Sequence, residues 1–453
     1  MLATLTRPLT RAVERYLPGS LVFAVVLTFV VALMALAWTD AGPLQIVTEW
    51  GDGLTGLLAF MTQMALVLML GHVLANTRPV RRVLDRLAAV PRSAPMAYVF
   101  VTVCAALASL LSWGLGLVVA ALLSIEVARA CRERGIKVHY PLLVAAGYSG
   151  FAVWHMGYSG SGPLTSATPG SFVEEQTGFI IPVTQTIFAW WNLLGIVVAI
   201  VVIAATVWAI RPRSGETIIE LPEGAQLSEG GEADPAAGAG GEPTPADRVD
   251  NSRAITLVIG VVFVIYLVTY FAQNGFALTL DIVNWTFLCL ILLLVGSPRE
   301  LAGLVANAAR NVGEILLQFP LYAGILGMMT GTGLVAVFSN FFVQIATPAT
   351  LGLWAFLAGG IINIFVPSGG GQFAVQAPIF LDAAKQLGVE PGIVVMGIAY
   401  GDQWTNLIQP FWALPLLAIA NLRVRDVMGY TSIVLITSGL VFGGTMLLAG
   451  LTS

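Results

Sequence analysis

Apolar residues fall in long unbroken runs along this chain, not in the alternating or one-faced patterns of a soluble domain. Residues 20–38, 54–75, 182–210, 254–272 and 427–450 contain no Asp, Glu, Lys or Arg. Each is near the ~20 residues a helix needs to cross a bilayer. The pattern predicts an all-α polytopic membrane protein. Two further apolar stretches fit no single span. Residues 95–128 would form a straight helix of ~50 Å at ~1.5 Å per residue, yet are too short for two ordinary spans and a loop. Residues 350–385 repeat the anomaly and are broken at Pro367-Ser368-Gly369-Gly370-Gly371. Both read as re-entrant helical hairpins, the first with its tip at Ser112-Trp113-Gly114-Leu115-Gly116. Two other spans are interrupted, at 141–170 by a run of glycines and prolines and at 391–420 around Tyr400 to Pro410. The total is about nine full spans plus two hairpins.

Composition agrees: 57% of residues are hydrophobic and 10% charged, against ~25% charged in a soluble domain. A water-soluble fold would lack polar groups to cover its surface. The net charge of -4 argues against nucleic-acid partners; the lipid bilayer is the partner the runs imply. Cys104, Cys131 and Cys289 lie far apart, so neither a disulfide framework nor a zinc site is readable.

The placement of charge predicts a topology. Arg7, Arg11 and Arg15 precede the first span, and Arg78, Arg81, Arg82, Arg86 and Arg92 follow the second, so both flanks read as cytoplasmic. The stretch after Arg15 is span-length and lacks a cleavage-type site, which favours an uncleaved first helix over a signal peptide. Followed to the end, twenty of the 21 cations face the cytoplasm, Lys385 being the exception. The N-terminus is then cytoplasmic and the C-terminus external. The first hairpin enters from the basic side and the second from the opposite one.

The two halves share one order: span, span, short amphipathic stretch, hairpin, broken span, span. Ser112 precedes Tyr148 by 36 residues, and Asn363 precedes Tyr400 by 37. The expected organisation is a first repeat over 1–210, a disordered cytoplasmic linker over 211–253, an inverting span and external loop over 254–279, and a second repeat over 280–453. Each repeat has four full crossings, so the extra span inverts the second against the first. Inverted repeats with discontinuous helices at mid-depth are a transporter plan. Unwound backbone inside a bilayer is costly unless it is buried in protein or lines a wet cavity.

Candidate chemistry gathers at the breaks. Nearly every cation sits at a membrane boundary, so an anion at mid-depth must be held by helix N-termini and neutral side chains. The expected substrate ligands are Ser112, Gly114, Gly116, Ser159, Ser161, Thr165, Ser368, Gly369, Gly370, Gly371, Gln372, Gln376, Trp404 and Gln409. Trp113, Trp154, Phe411 and Trp412 are further candidates for a pocket wall. Asp402 is the one carboxylate placed deep in a span, and an intramembrane acid points to function. Asp402, Asn363, Asn406 and Ser149 are the expected coupling-ion ligands, for Na+ or H+; no other metal and no organic cofactor is expected. His155 is a weaker candidate for a proton or substrate role, whereas His72 and His139 read as structural.

Three segments carry a resemblance: SWGLGLVVA from Ser112, FVPSGGGQFAVQAP from Phe365 and AYGDQWTNLIQPFWALPLLAIANL from Ala399. With the match from Trp50 through Arg425, nearly the whole chain resembles the short-chain fatty acid transporter family. The resemblance implies uptake of short-chain monocarboxylates such as butyrate or acetoacetate across a bacterial inner membrane. Through the wider ion transporter superfamily, it also implies a homodimer and elevator-type motion. A carrier of dicarboxylates or other small organic anions is the alternative within transport. A passive channel is the alternative without coupling. An ATP-driven pump is disfavoured because the chain has no GxxxxGK[ST]. An intramembrane enzyme would need a nucleophile beside a base, which only the neighbours Ser161 and His155 suggest, so no enzymatic activity is expected.

Overall fold

The computed structural model describes residues 20–213, 215–221, 244–310 and 312–452, and every regular element among them is a helix. Arg7, Arg11 and Arg15, residue 214, and the acidic stretch 222–243 lie outside the described residues. Within the expected linker, Pro245–Asp250 is a helix with a reciprocal Thr244–Asp247 capping box. The main chain of Ile219 also pairs with His139 and Tyr140.

Seven described helices are long and apolar enough to cross a membrane. Five match the uninterrupted runs, with bounds at Leu21–Trp38, Leu58–Asn76, Trp190–Ala209, Arg253–Asn274 and Val424–Thr452. The other two are the arms of the first hairpin, Ala94–Leu111 and Trp113–Glu133, which Ser112 alone joins in extended conformation. These arms run past the 95–128 boundary to 94–133, and each has the length of a span. Length alone therefore does not make this hairpin re-entrant. The second hairpin is shorter, Leu351–Phe365 and Gly369–Leu387, with residues 366–368 between them. Its return helix starts where the Ser368 side chain accepts the Gly371 N–H at 3.2 Å, an N-cap.

Both expected breaks are present. Tyr140–Gly150 tightens into a 3-10 turn, Phe151–Met156, and helix resumes only at Ser161–Ala167. Pro391–Thr405 tightens at Asn406–Ile408 before Pro410–Ala420. A third interruption lies outside the sequence expectation: Pro298–Ala309 and Gly313–Gly331 meet at a 50° bend.

The helices pack as two groups. One holds both hairpins, both broken spans, Trp190–Ala209 and Val424–Thr452. The other holds Ser20–Trp38, Pro43–Gly53, Leu58–Asn76, Arg253–Asn274, Leu280–Leu294 and Gly313–Gly331. Leu58–Asn76 and Gly313–Gly331 touch the hairpins and form the seam between the groups. Close approach there depends on small residues. A Cβ at Gly71 would lie 2.5 Å from Ser112 Oγ, so the first tip seats directly against Leu58–Asn76.

Candidate functional site

Each hairpin is stitched to the broken span that follows it. In the first half, the Tyr158 N–H donates to the Leu110 carbonyl at 2.7 Å, and the Trp113 N–H donates to Ser159 Oγ at 3.0 Å. Gly157 permits this contact, because a Cβ there would stand 2.2 Å from the Leu110 oxygen. In the second half, Asn363 Nδ2 lies 2.8, 3.0 and 2.7 Å from the Asp402 carbonyl, Thr405 Oγ1 and Asn406 Oδ1, three acceptors that share its two N–H bonds. Gln409 Nε2 reaches the Ile364 carbonyl at 3.0 Å. Polar side chains thus satisfy backbone that the breaks leave unpaired, as apolar surroundings require.

The two breaks also meet each other. His155 Nδ1 lies 3.0 Å from Asp402 Oδ2, and both side chains are fully buried. His155 Nε2 accepts the Gly162 N–H at 3.0 Å, and the His155 N–H donates to Gln403 Oε1 at 3.0 Å. The Tyr148 hydroxyl donates to the Asn406 carbonyl at 2.6 Å. The second tip closes over this pair: a Cβ on Gly369 would lie 2.5 Å from the Trp154 ring and 3.3 Å from Asp402 Oδ2. Only glycine allows that approach.

Above the pair is a cavity of about 490 Å³ on the seam between the helix groups. Trp113 and Gly114 of the first tip, Trp154 and Ser161 of the first break, and Ser368 to Gly370 of the second tip form its floor. Leu68, Phe319 and Trp412 line apolar walls. Floor residues other than the half-buried Ser368 are buried, whereas Arg310, Glu314 and Ile419 at the other end are exposed. His72 also lines the cavity.

Five of the fourteen expected substrate ligands line this cavity: Gly114, Ser161, Ser368, Gly369 and Gly370. The other nine stand behind it or elsewhere. Ser159 caps the first tip, and Gly116 packs on Ser109, where a Cβ would lie 2.1 Å from Oγ. Ser112 faces Gly71, and Gly371 abuts the Tyr322 ring. The Thr165 hydroxyl turns back to the Ser161 carbonyl. Gln372 is tied to Gly359 and Gln376, a helical i,i+4 pair pointing into the second hairpin. Trp404 donates to the Leu435 carbonyl at 2.7 Å and packs on Phe356, so it is core and not pocket wall. Gln409 is spent on the hairpin. Of the expected ion ligands, Asp402, Asn363 and Asn406 cluster at the second break, while Ser149 Oγ bonds its own helix at Ala145.

Among the expected site residues, buried oxygens without a hydrogen-bond partner remain at Asp402 Oδ1, Asn363 Oδ1, Ser161 Oγ, Ser112 Oγ and Gln372 Oε1. A polar atom buried unpaired costs about 1–3 kcal/mol. These are the atoms that gain most from a bound ion or substrate, and they fit Na+ or a proton in their chemistry. Ser161 Oγ makes no bond to His155, so the one suggestive nucleophile–base pair is not assembled.

The residue that the sequence reading missed is Arg310. Its place beside a basic flank suggested only a boundary charge, but the 50° bend brings it to the cavity. Neither Arg310 nor Glu314 forms an ion pair among the described residues. The analogous pair Glu126–Arg129 does form, at 2.8 Å.

Known proteins resemble this chain along its whole length. The family model described as short chain fatty acid transporter matches residues 1–449. A protein of Escherichia coli (strain K12), provisionally named a short-chain fatty acid transporter, is 41% identical over 442 residues, 98% of each chain. A counterpart of the same provisional name from Haemophilus influenzae is 38% identical over 448 residues, again 98% of each. Among solved structures, the Alcanivorax borkumensis YdaH transporter superposes with a TM-score of 0.56 at 12% identity, covering 94% of this chain and 97% of that one. Neisseria gonorrhoeae MtrF, described within a class of antimetabolite efflux pumps, gives 0.55 at 15% identity, covering 96% and 97%. At such identity the two structures show a shared fold alone. The chain belongs to the short-chain fatty acid transporter family.

Proposed function

We propose that this protein is a secondary active carrier that moves short-chain monocarboxylates, of the butyrate and acetoacetate class, across a bacterial inner membrane with Na+ or H+ as the coupling ion. The single observation that carries the reading is the cavity floor: two helix-starting tips meet beneath apolar walls, and the buried Asp402 stands directly behind Gly369. The carboxylate binds at the main-chain N–H groups of the tips and at Ser161, and the acyl chain lies against Trp113, Trp154 and Phe319.

Coupling follows from charge. A carboxylate at the Gly369 tip and an ionised Asp402 beside it repel, by about 4 kcal/mol at 4 Å with an effective dielectric of ~20. A cation at Asp402 removes that repulsion, so substrate and ion favour each other's binding. One cation per monocarboxylate makes symport electroneutral.

The topology that goes with this reading has the N-terminus in the cytoplasm, the C-terminus in the periplasm and the hairpins re-entrant in an inverted pair. The cavity then faces the cytoplasm, and the hairpin-bearing group moves against the other, elevator fashion, in a homodimer. The dicarboxylate alternative needs a second set of donors, and the nearest cation lining the cavity is Arg310 at the rim. Uptake of labelled butyrate into proteoliposomes, with competition by mono- and dicarboxylates, tests the assignment. Saturable uptake that monocarboxylates inhibit is expected; inhibition by dicarboxylates alone refutes it.

A further inference from the structure

Resting on the carrier reading, we infer that His155 is not a proton carrier but a locked neutral donor that positions Asp402, leaving Asp402 Oδ1 as the atom that takes the coupling cation. The Gly162 main-chain nitrogen can only donate, so His155 Nε2, which accepts from it at 3.0 Å, holds a lone pair and no proton. In a neutral ring the proton is then on Nδ1, facing Asp402 Oδ2 at 3.0 Å. An imidazolium would set N–H against N–H at Gly162 and orphan a buried amide.

Two contacts and complete burial hold the residue in this setting. It stacks on Trp154 with centroids 4.1 Å apart and planes 16° from parallel. Its main-chain N–H is held by Gln403 Oε1 at 3.0 Å. Its side chain is fully buried, so water cannot replace a lost partner. Exchanging the two nitrogens would break the Gly162 and Asp402 bonds together.

The consequence falls on Asp402. Oδ2 is occupied by the Nδ1–H, while Oδ1 is buried with no partner. A proton arriving at Oδ1 converts the carboxylate to the acid without disturbing the histidine bond, and Na+ would use the same lone pairs. Other titratable groups nearby are committed elsewhere. Tyr148 donates to Asn406 and Tyr400 to Asn192. His72, Arg310 and Glu314 line the far part of the cavity and form no ion pair with Asp402.

The chain has three histidines, so labelling their ring nitrogens with 15N gives a spectrum of three residues, with His155 identified by its loss in His155→Asn. The reconstituted full-length protein is expected to show His155 protonated at Nδ1 and unprotonated at Nε2 under the conditions of the uptake assay. An imidazolium, or the opposite tautomer, overturns the inference. Transport supplies the second readout. His155→Asn, whose amide nitrogen replaces the Nδ1–H, should keep gradient-driven uptake, whereas His155→Phe should lose it about tenfold. Equal loss in both, with an imidazolium in the spectrum, makes His155 the carrier and refutes its positioning role. Absence of monocarboxylate uptake in the unaltered protein would instead refute the carrier reading, while the spectrum still decides the tautomer.

Discussion

The main-chain N–H of Trp113 donates to Ser159 Oγ at 3.0 Å, joining the first hairpin tip to the first broken span across 46 residues. Trp113 opens a 21-residue helix whose first turn has no other side-chain cap. Ser159→Ala is therefore expected to destabilise the protein by about 1 kcal/mol, within the ~0.5–2 kcal/mol range of lost caps. It should also raise the KM for butyrate, because the tip it frees lines the cavity. Ser159→Thr retains the oxygen and should restore both. Thermal unfolding in detergent, beside uptake kinetics, checks the pair of effects.

The second tip is constrained sterically. A methyl at Gly369 would meet the Trp154 ring at 2.5 Å, below any ordinary contact. Gly369→Ala should leave expression near normal while lowering kcat/KM by about tenfold or more, since a displacement of this kind at a site costs much in rate. Unchanged butyrate kinetics would show that the tip is not at the substrate.

Arg310 is the cation at the exposed end of the cavity, so it should raise the local concentration of anions there. Arg310→Gln should slow substrate entry or release from that end several-fold at low ionic strength and much less at high salt. Arg310→Lys should behave like the native protein. Counterflow rates measured across a salt series test this, and a salt-independent defect would contradict steering.

His139 ties the segment after Arg213 to the core. Its Nδ1 accepts the Ile219 N–H at 3.1 Å, and its Nε2 is 3.0 Å from the Tyr430 hydroxyl. Burial pushes its imidazole below the ordinary value of 6.5, with Glu216 opposing. The folded state therefore favours the neutral ring. The stability it adds is complete above 6.5 and is lost as pH falls through the lowered value. Hydrogen exchange at residues 216–221, corrected for intrinsic rates, should show protection at about pH 7.5 that weakens near pH 5. Equal protection at both would remove His139 as the tether.

Much of this site was legible in the chain. Charge-free runs marked five spans, and glycine and proline clusters marked the hairpins and breaks, because a helix in lipid has few other reasons to be interrupted. Asp402 stood out by its rarity. The rest depends on tertiary contacts that no local pattern encodes. His155 and Asp402 are 247 residues apart, and nothing in either neighbourhood announces the other. Trp404 sits among motif residues but packs inward on Phe356, and Gln372 spends its amide N–H groups on Gln376 and the Gly359 carbonyl. Arg310 lines the cavity beside a bend that the charge-free runs do not mark. A polar residue near a break signals a need for a partner, not whether that partner is substrate, ion or neighbouring backbone.

The most direct measurement of the central claim is butyrate accumulation in proteoliposomes under an imposed Na+ or H+ gradient, comparing the native protein with Asp402→Asn. The native carrier should concentrate butyrate above equilibrium with one of the two gradients. Asp402→Asn, which keeps the shape but removes the charge, should still exchange butyrate yet no longer respond to that gradient. An unchanged gradient response in Asp402→Asn, or no saturable butyrate uptake by the native protein, would contradict the account.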